Sequence, residues 1–303
     1  MQIFGMGKPS VGVVYDASFG NTIDGALALA LLYGLQGKNE SRVISVSVSK
    51  SCLNAAIFAD VLVRFYTGEP NPFAGVTPIG LTLSGKTAED TPMIAAVVGK
   101  PDYPRDIAKM NDTADPVATI RNALTAQYDQ NAIVVLAGPA TNLAAVLALP
   151  GTKPVIAAKV RHLVIAADAQ FSVDAPAAKQ VLAEWPSPIV MVGQDVGEAI
   201  PFPGASIEKD FAWSDKHPLV DAWHAFRAGT YDAPATALAA ALYAVRSDKG
   251  YFKLSEPVAG GKHRMLIADP AQKETVRQAY VELASTRPVG RPVRFRPQQK
   301  KKQ

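Results

Sequence analysis

Hydrophobic and polar positions along the chain switch repeatedly between two periods. Residues 11–15 (VGVVY) form a short apolar run with β-branched residues, ending at Asp16 and a turn of small residues. Residues 24–35 (DGALALALLYGL) are apolar on most faces and rich in Ala and Leu, which predicts a buried helix. Residues 43–49 (VISVSVS) alternate as a strand, and residues 54–66 (NAAIFADVLVRFY) return to the helical period. A second strand–turn–helix series follows: strand 132–136 (AIVVL), a Gly-Pro turn, helix 142–149, strand 162–166 (HLVIA), helix 176–184 and strand 189–192. Strands buried on both faces and separated by helices predict an α/β fold, with a mostly parallel central sheet flanked by helices. No internal repeat and no break in composition appears before the carboxyl-terminal tail. A single domain over residues 1–286 and a tail over 287–303 is therefore expected.

Composition narrows the picture. The chain has 303 residues, 48% of them apolar, enough to build a large core. One cysteine excludes a disulfide framework, and with only four histidines it also excludes a thiolate zinc cluster. No stretch approaches the ~20 apolar residues of a membrane helix. The first ten residues hold no run suited to a secretory leader, so no membrane partner and a cytoplasmic location are expected. The net charge of +4 is concentrated at one end. Residues 287–303 carry seven basic side chains and no acidic one; the rest of the chain holds 24 basic against 27 acidic residues. The body is mildly acidic and the tail basic. Rich in Pro, Arg, Lys and Gln, the tail is expected to stay unfolded and to be the one route to a nucleic-acid partner. Phe295 is its only aromatic residue, and no nucleic-acid reading motif accompanies the charge.

In an open parallel sheet ligands bind beyond the carboxyl ends of the strands, which directs attention to residues 16–24, 49–54, 138–142 and 167–174. Each polar residue there has a bland reading beside a sharp one. Asp16 either orients a ligand or caps neighbouring backbone amides. Asp24 is placed as the N-cap of its own helix. Asn21 either faces a ligand or supplies a left-handed turn residue. Thr141 and Asn142 open a helix after Gly138-Pro139 and read as caps or as ligand contacts. Asp168 and Asp174 are the acids of the third loop, as caps or as relocated site carboxylates. Cys52 reads as a small buried filler. His162, His217, His224 and His263 match no triad or ligand spacing. Trp213, Trp223 and Phe226 are expected in a helical segment, in the core or at a subunit contact.

Taken together, these loops resemble the inosine/uridine-preferring nucleoside hydrolase family. YDASFGNTIDGALALALLYGL is similar to its aspartate-rich opening, and AGPATNLAAVL to its G-P-x-T-N-L-A motif. EWPSPIVMVGQDVGEAIPFP and ALYAVRSDKGYFKLSEP resemble its later segments, the second a helix followed by a hairpin. The likeness covers roughly residues 11–285, in order. It implies a nucleoside-hydrolase-like fold, a homo-oligomer, a nucleoside- or ribose-like small molecule, and hydrolysis of an N-glycosidic bond by a calcium-held water. The family's first aspartate corresponds to Asp16 and its ribose-binding aspartate to Asp24. Its base and metal ligand falls on Ser18, a further metal ligand on Gly25, the last carboxylate on Ala237, and a carbonyl ligand on Thr141. Thr22, Cys52, Thr236 and residues 170–172 (QFS) likewise replace residues that face the ligand in the family. Three carboxylates expected at the ion are thus absent, so neither a bound calcium nor any other cofactor is expected.

Three functions follow as competing expectations: a member of this fold without calcium-dependent hydrolysis, retained for ligand binding or assembly; an N-glycosidase rebuilt around Asp16, Asp24 and Asp168 or Asp174; and a binder of nucleic acid or acidic surfaces acting through the tail.

Overall fold

Valine-rich β1 (Val11–Ala17) is buried along its whole length, as a strand covered on both faces must be. The computed structural model describes residues 10–68, 77–258 and 262–288. After β1 come α1 (Asp24–Gly37), buried from Asp24 to Leu35, and β2 (Ser41–Val48). α2 (Leu53–Thr67), the short edge strand β3 (Ile79–Leu81), α3 (Pro92–Val98) and α4 (Pro116–Thr125) complete the first half. α3 and α4 begin with proline, after Thr91 and Asp115 whose side chains accept backbone amides of the first turn. The second half opens with β4 (Ala132–Ala137), α5 (Thr141–Ala148), α6 (Thr152–Lys159) and β5 (Val160–Ala167). It continues through α7 (Ala175–Glu184), β6 (Ile189–Gly193), α8 (Gln194–Ala199), α9 (Ala205–Asp210) and α10 (Pro218–Phe226). α11 (Thr236–Val245), the hairpin of β7 (Phe252–Leu254) and β8 (His263–Ala268), and α12 (Lys273–Ala284) close the described chain.

The eight strands form one sheet in the order β3-β2-β1-β4-β5-β6-β8-β7, and every neighbouring pair is parallel except β7 with β8. Side chains of α1, α2, α11 and α12 cover one face; those of α4, α5, α6 and α7 cover the other. The direction of winding reverses between β1 and β4. In sheets of this kind the crevice beyond the carboxyl ends of the strands at such a reversal is where ligands bind.

α12 fastens the end of the chain to α1 and α2. A Cβ at Gly34 would strike the carbonyl of Leu283, so glycine lets α1 and α12 meet at backbone distance. The Tyr66 hydroxyl donates to the Ala284 carbonyl at 3.2 Å, and Pro288 lies against Gly68 at the end of α2.

The strands and helices expected from periodicity are all present, with ends shifted by a few residues. Periodicity left out β3, too short at three residues to carry a two-residue alternation, the helices α3, α4, α6, α8 and α9, and α12, whose surface is mostly charged. Trp213 lies in a turn rather than in a helix, stacked on Phe65, while Trp223 and Phe226 are in α10 as expected. Among the described residues no helix is long and apolar enough to cross a membrane. The expectation for the tail concerns residues 287–303, of which 289–303 lie outside the described residues.

Candidate functional site

Strand alternation sends Asp16 to the face of the sheet opposite Tyr15 and Ala17, directly beside Ser47 of β2. Ser47 Oγ donates to Asp16 Oδ2 at 2.5 Å, and Asn142 Nδ2, from the first turn of α5, donates to the same oxygen at 2.7 Å. The carboxylate is sealed from solvent, and among the described residues its second oxygen has no hydrogen-bond partner. Burial pushes Asp16 up to about 7, against the pull of the Ser47 and Asn142 donors; Ser49 also favours the charged form but lies outside hydrogen-bond geometry. Gly138 makes this close grouping possible. A Cβ there would come within 2.6 Å of the Ser18 amide nitrogen and 2.7 Å of Ser49 Oγ.

Asp24 sits at the start of α1 but serves another helix. Its Oδ2 accepts the Ala237 amide at 2.6 Å and its Oδ1 the Leu238 amide at 3.1 Å. Its carboxylate therefore caps the amino-terminal turn of α11, not its own helix, because the fold brings that end of α11 against α1. Burial raises the Asp24 carboxyl to about 7, opposed by the amides of α11 and reinforced by the charge of Asp168. Tyr15, on the other face of β1 from Asp16, is fully buried, with its hydroxyl donating to the Gly25 carbonyl at 2.7 Å. Desolvation, followed by the charges of Asp24, Asp16 and Asp168, holds that phenol well above its ordinary range.

Asp168, at the end of β5, accepts the amides of Gln170 and Phe171 at 2.9 and 3.4 Å. It is the partly exposed acid of the three, and partial burial raises its carboxyl. Thr141 donates to Asp174 Oδ2 at 2.7 Å, while Asp174 caps α7 through the Ala177 amide. Asn21 accepts from Lys50 Nζ at 2.9 Å.

The structure thus joins Asp16 with Asn142 and brings Asp24 and Asp168 within electrostatic reach of each other. Thr141 turns instead to Asp174, and Asn21 to Lys50. Several bland readings change. Asp16 binds side chains and caps no backbone amide. Thr141 and Asn142 spend their side chains across the fold, and α5 begins at Ala140 without a side-chain cap. The left-handed backbone of the first loop falls on Phe19 and Gly20 rather than on Asn21. Asp174 is a cap and Cys52 is buried, as expected. His162 meets the Ala244 carbonyl, and His224 meets Glu208.

Sequence reasoning passed over Ser47, Tyr15 and Lys50. The alternation of serines in VISVSVS (residues 43–49) signalled a strand, but not that its serine face would be buried against an aspartate. The calcium ion implied by the resemblance finds no fit. A calcium site needs six to eight oxygens, several of them charged. Here Ser18 offers a hydroxyl, Gly25 and Ala237 offer no side-chain oxygen, and both Asp24 oxygens are bound to amides. Among the described residues no group of three His, Cys, Asp or Glu side chains is suited to hold a metal ion.

No protein-family model and no curated protein sequence matches the chain. Solved structures do. A plant nucleoside hydrolase is similar over 91% of this chain and 99% of its own, with a TM-score of 0.68 at 17% identity. An inosine-uridine preferring nucleoside hydrolase from Bacillus anthracis covers the same shares, with a TM-score of 0.65 at 14% identity. The type III effector protein XopQ, solved in complex with adenosine diphosphate ribose, matches 92% of this chain and 94% of its own, with a TM-score of 0.66 at 13% identity. The chain has the fold of the nucleoside hydrolases.

Proposed function

We propose that this nucleoside-hydrolase-fold protein binds a small ribose- or nucleoside-like molecule at the β1–β4 crevice without calcium-dependent hydrolysis. The observation that carries this reading is the assignment of Asp24. Its two oxygens, which the resemblance assigns to ribose, are here tied to the amides of Ala237 and Leu238. Ser18, Gly25 and Ala237 add no negative charge, so a divalent ion entering the crevice would lose its water shell with little in return. Asp16 and Asn142 are buried at the carboxyl ends of β1 and β4, and Asp168, after β5, is the partly exposed acid. The likeness to XopQ, whose solved complex holds adenosine diphosphate ribose, supports a ligand of this class. Purified protein supplied with calcium is expected to release no base from inosine, uridine or a chromogenic riboside. Turnover that a chelator abolishes would overturn the reading.

One observation favours a second reading, an N-glycosidase with a rebuilt site. Asp168 combines partial exposure with a carboxyl that burial raises, features a general acid or base needs. If it acts so, Asp168→Ala must remove any measured glycosidase activity while leaving the melting temperature close to wild type.

A further inference from the structure

Lys50 follows β2 and points inward. Its side chain is wholly buried, yet its ammonium meets one neutral acceptor, Asn21 Oδ1 at 2.9 Å, and one carboxylate, Glu89, at 3.7 Å. An ammonium has three donors, and burying a charge is costly unless it is paired and hydrogen-bonded. Among the described residues two of the three donors lack an acceptor at hydrogen-bond distance. The nearest counter-charge is itself a surface group, since Glu89 is 66% exposed.

Glu89 belongs to a segment, residues 82–91, laid across the carboxyl ends of β1 and β2. Ser51 holds it by donating its amide to the Thr87 carbonyl at 2.8 Å and accepting the Gly85 amide on Oγ at 2.7 Å. Thr91 Oγ1 donates to the Gly20 carbonyl at 2.8 Å, and Asn54 Nδ2 donates to Asp90 Oδ2 at 2.5 Å. Consecutive acids, Glu89 and Asp90, are therefore set against Lys50 and the first turn of α2. That 15-residue helix has no side-chain cap at Cys52, and the amides of Leu53 and Asn54 have no protein acceptor among the described residues. A buried cation, an uncapped helix start and an acidic pair held over both form one electrostatic unit.

We propose that Lys50, Asn21 and the first turn of α2 form an anion seat for the phosphate group of a small-molecule ligand, which Glu89 and Asp90 fill in the free protein. A phosphate presents several acceptor oxygens to the unpaired ammonium donors and the free amides, where Glu89 stands too far off to satisfy either. Entry of the ligand displaces the acidic pair, so binding and release of residues 82–91 are coupled. This seat is separate from the sugar-binding reading of the Asp16 crevice, because inorganic phosphate carries no sugar.

Titration calorimetry with inorganic phosphate at constant ionic strength tests it on three proteins: wild type, Glu89→Gln/Asp90→Asn, and that double variant with Lys50→Met. Removing the competing charges should tighten binding on the order of tenfold over wild type. Lys50→Met should abolish saturable binding. Should Lys50→Met fail to fold, Asn21→Leu in the double variant must weaken phosphate binding, since it removes the group that orients the ammonium. Ribose 5-phosphate should compete with inorganic phosphate, and ribose should not. Absence of saturable binding by the double variant, or equal affinity with and without Lys50 or Asn21, overturns the proposal.

Discussion

Asp16 and Asp24 are both buried, both pushed up to about 7, and yet built for different tasks. Asp16 receives two side-chain donors on one oxygen, an arrangement asparagine can reproduce with its own carbonyl while turning its amide toward Ser49 Oγ. Asp16→Asn should therefore be at least as stable as wild type at pH 8, as measured by chemical denaturation. Asp24 receives an amide on each oxygen, and asparagine would turn an N–H group toward one of them. Asp24→Asn should cost about 1–2 kcal/mol, the worth of a helix cap plus an unsatisfied donor. Equal effects of the two substitutions would remove the distinction. Asp16 was legible in the sequence because it directly follows a valine-rich run, and Asn142 because it opens a helix after the Gly138-Pro139 turn. Their bond was not, because 126 residues separate them and only the sheet order makes them neighbours. Lys50 was illegible for another reason: lysine is presumed a surface residue, and nothing local in SVSVSKSC marks its side chain as buried.

The site joins β1 and β2, which the pattern revealed, to loops and helix starts that it did not place. Apolar runs exposed β1, β2, β4, β5 and β6, and the order of their helices implied parallel pairing. The register of β1 against β2, which sets Asp16 beside Ser47, depends on side-chain fit across the whole sheet and has no local signal. The turn between β4 and α5 illustrates the same dependence. Its Gly-Pro pair announced a turn, but only the fold shows why glycine is required: the Ser18 amide and the Ser49 hydroxyl occupy the space of a side chain at Gly138. Gly138→Ala should destabilise the protein by about 1–3 kcal/mol, the range of an overpacked core, because the nearest atoms include backbone. The same substitution at Gly151, where a Cβ meets nothing within 4 Å, gives the comparison. Gly151 has a positive φ, so its own cost is about 1 kcal/mol of backbone strain and not a clash.

Across the whole molecule, buried ionisable groups act on stability in opposite directions of pH. The folded chain holds protons on Asp16 and Asp24 up to about pH 7, whereas an unfolded carboxyl releases them near 3.8. Their contribution to stability is complete below about pH 4 and is lost as the pH rises through 7. His217 does the reverse. It lies among Phe65, Phe211 and Trp213, with ring centroids at 4.6, 5.2 and 5.0 Å, and neither ring nitrogen has a partner among the described residues. Desolvation lowers it to about 4, against the charge of Asp221. An unfolded histidine takes up its proton near 6.5, so stability is lost as the pH falls from 6.5 toward 4. His217→Phe should therefore gain about 2 kcal/mol over wild type at pH 5 relative to pH 8. Asp16→Asn should lose its own share of the decline of wild type between pH 5 and 8 and keep that of Asp24. Denaturation of the three proteins at both values separates the two terms; parallel curves would show that these groups do not titrate as their surroundings require.

The docking of α12 has a practical corollary. α1, α2 and α12 all start at the carboxyl edge of the sheet and finish at the opposite pole, where Gly34 touches Leu283 and Gly68 touches Pro288. Any surface, tag or polymer tethered through the residues after Pro288 grips the molecule by that pole. The carboxyl edge of the sheet then faces outward, so an immobilised protein should present the proposed ligand-binding end to the solution.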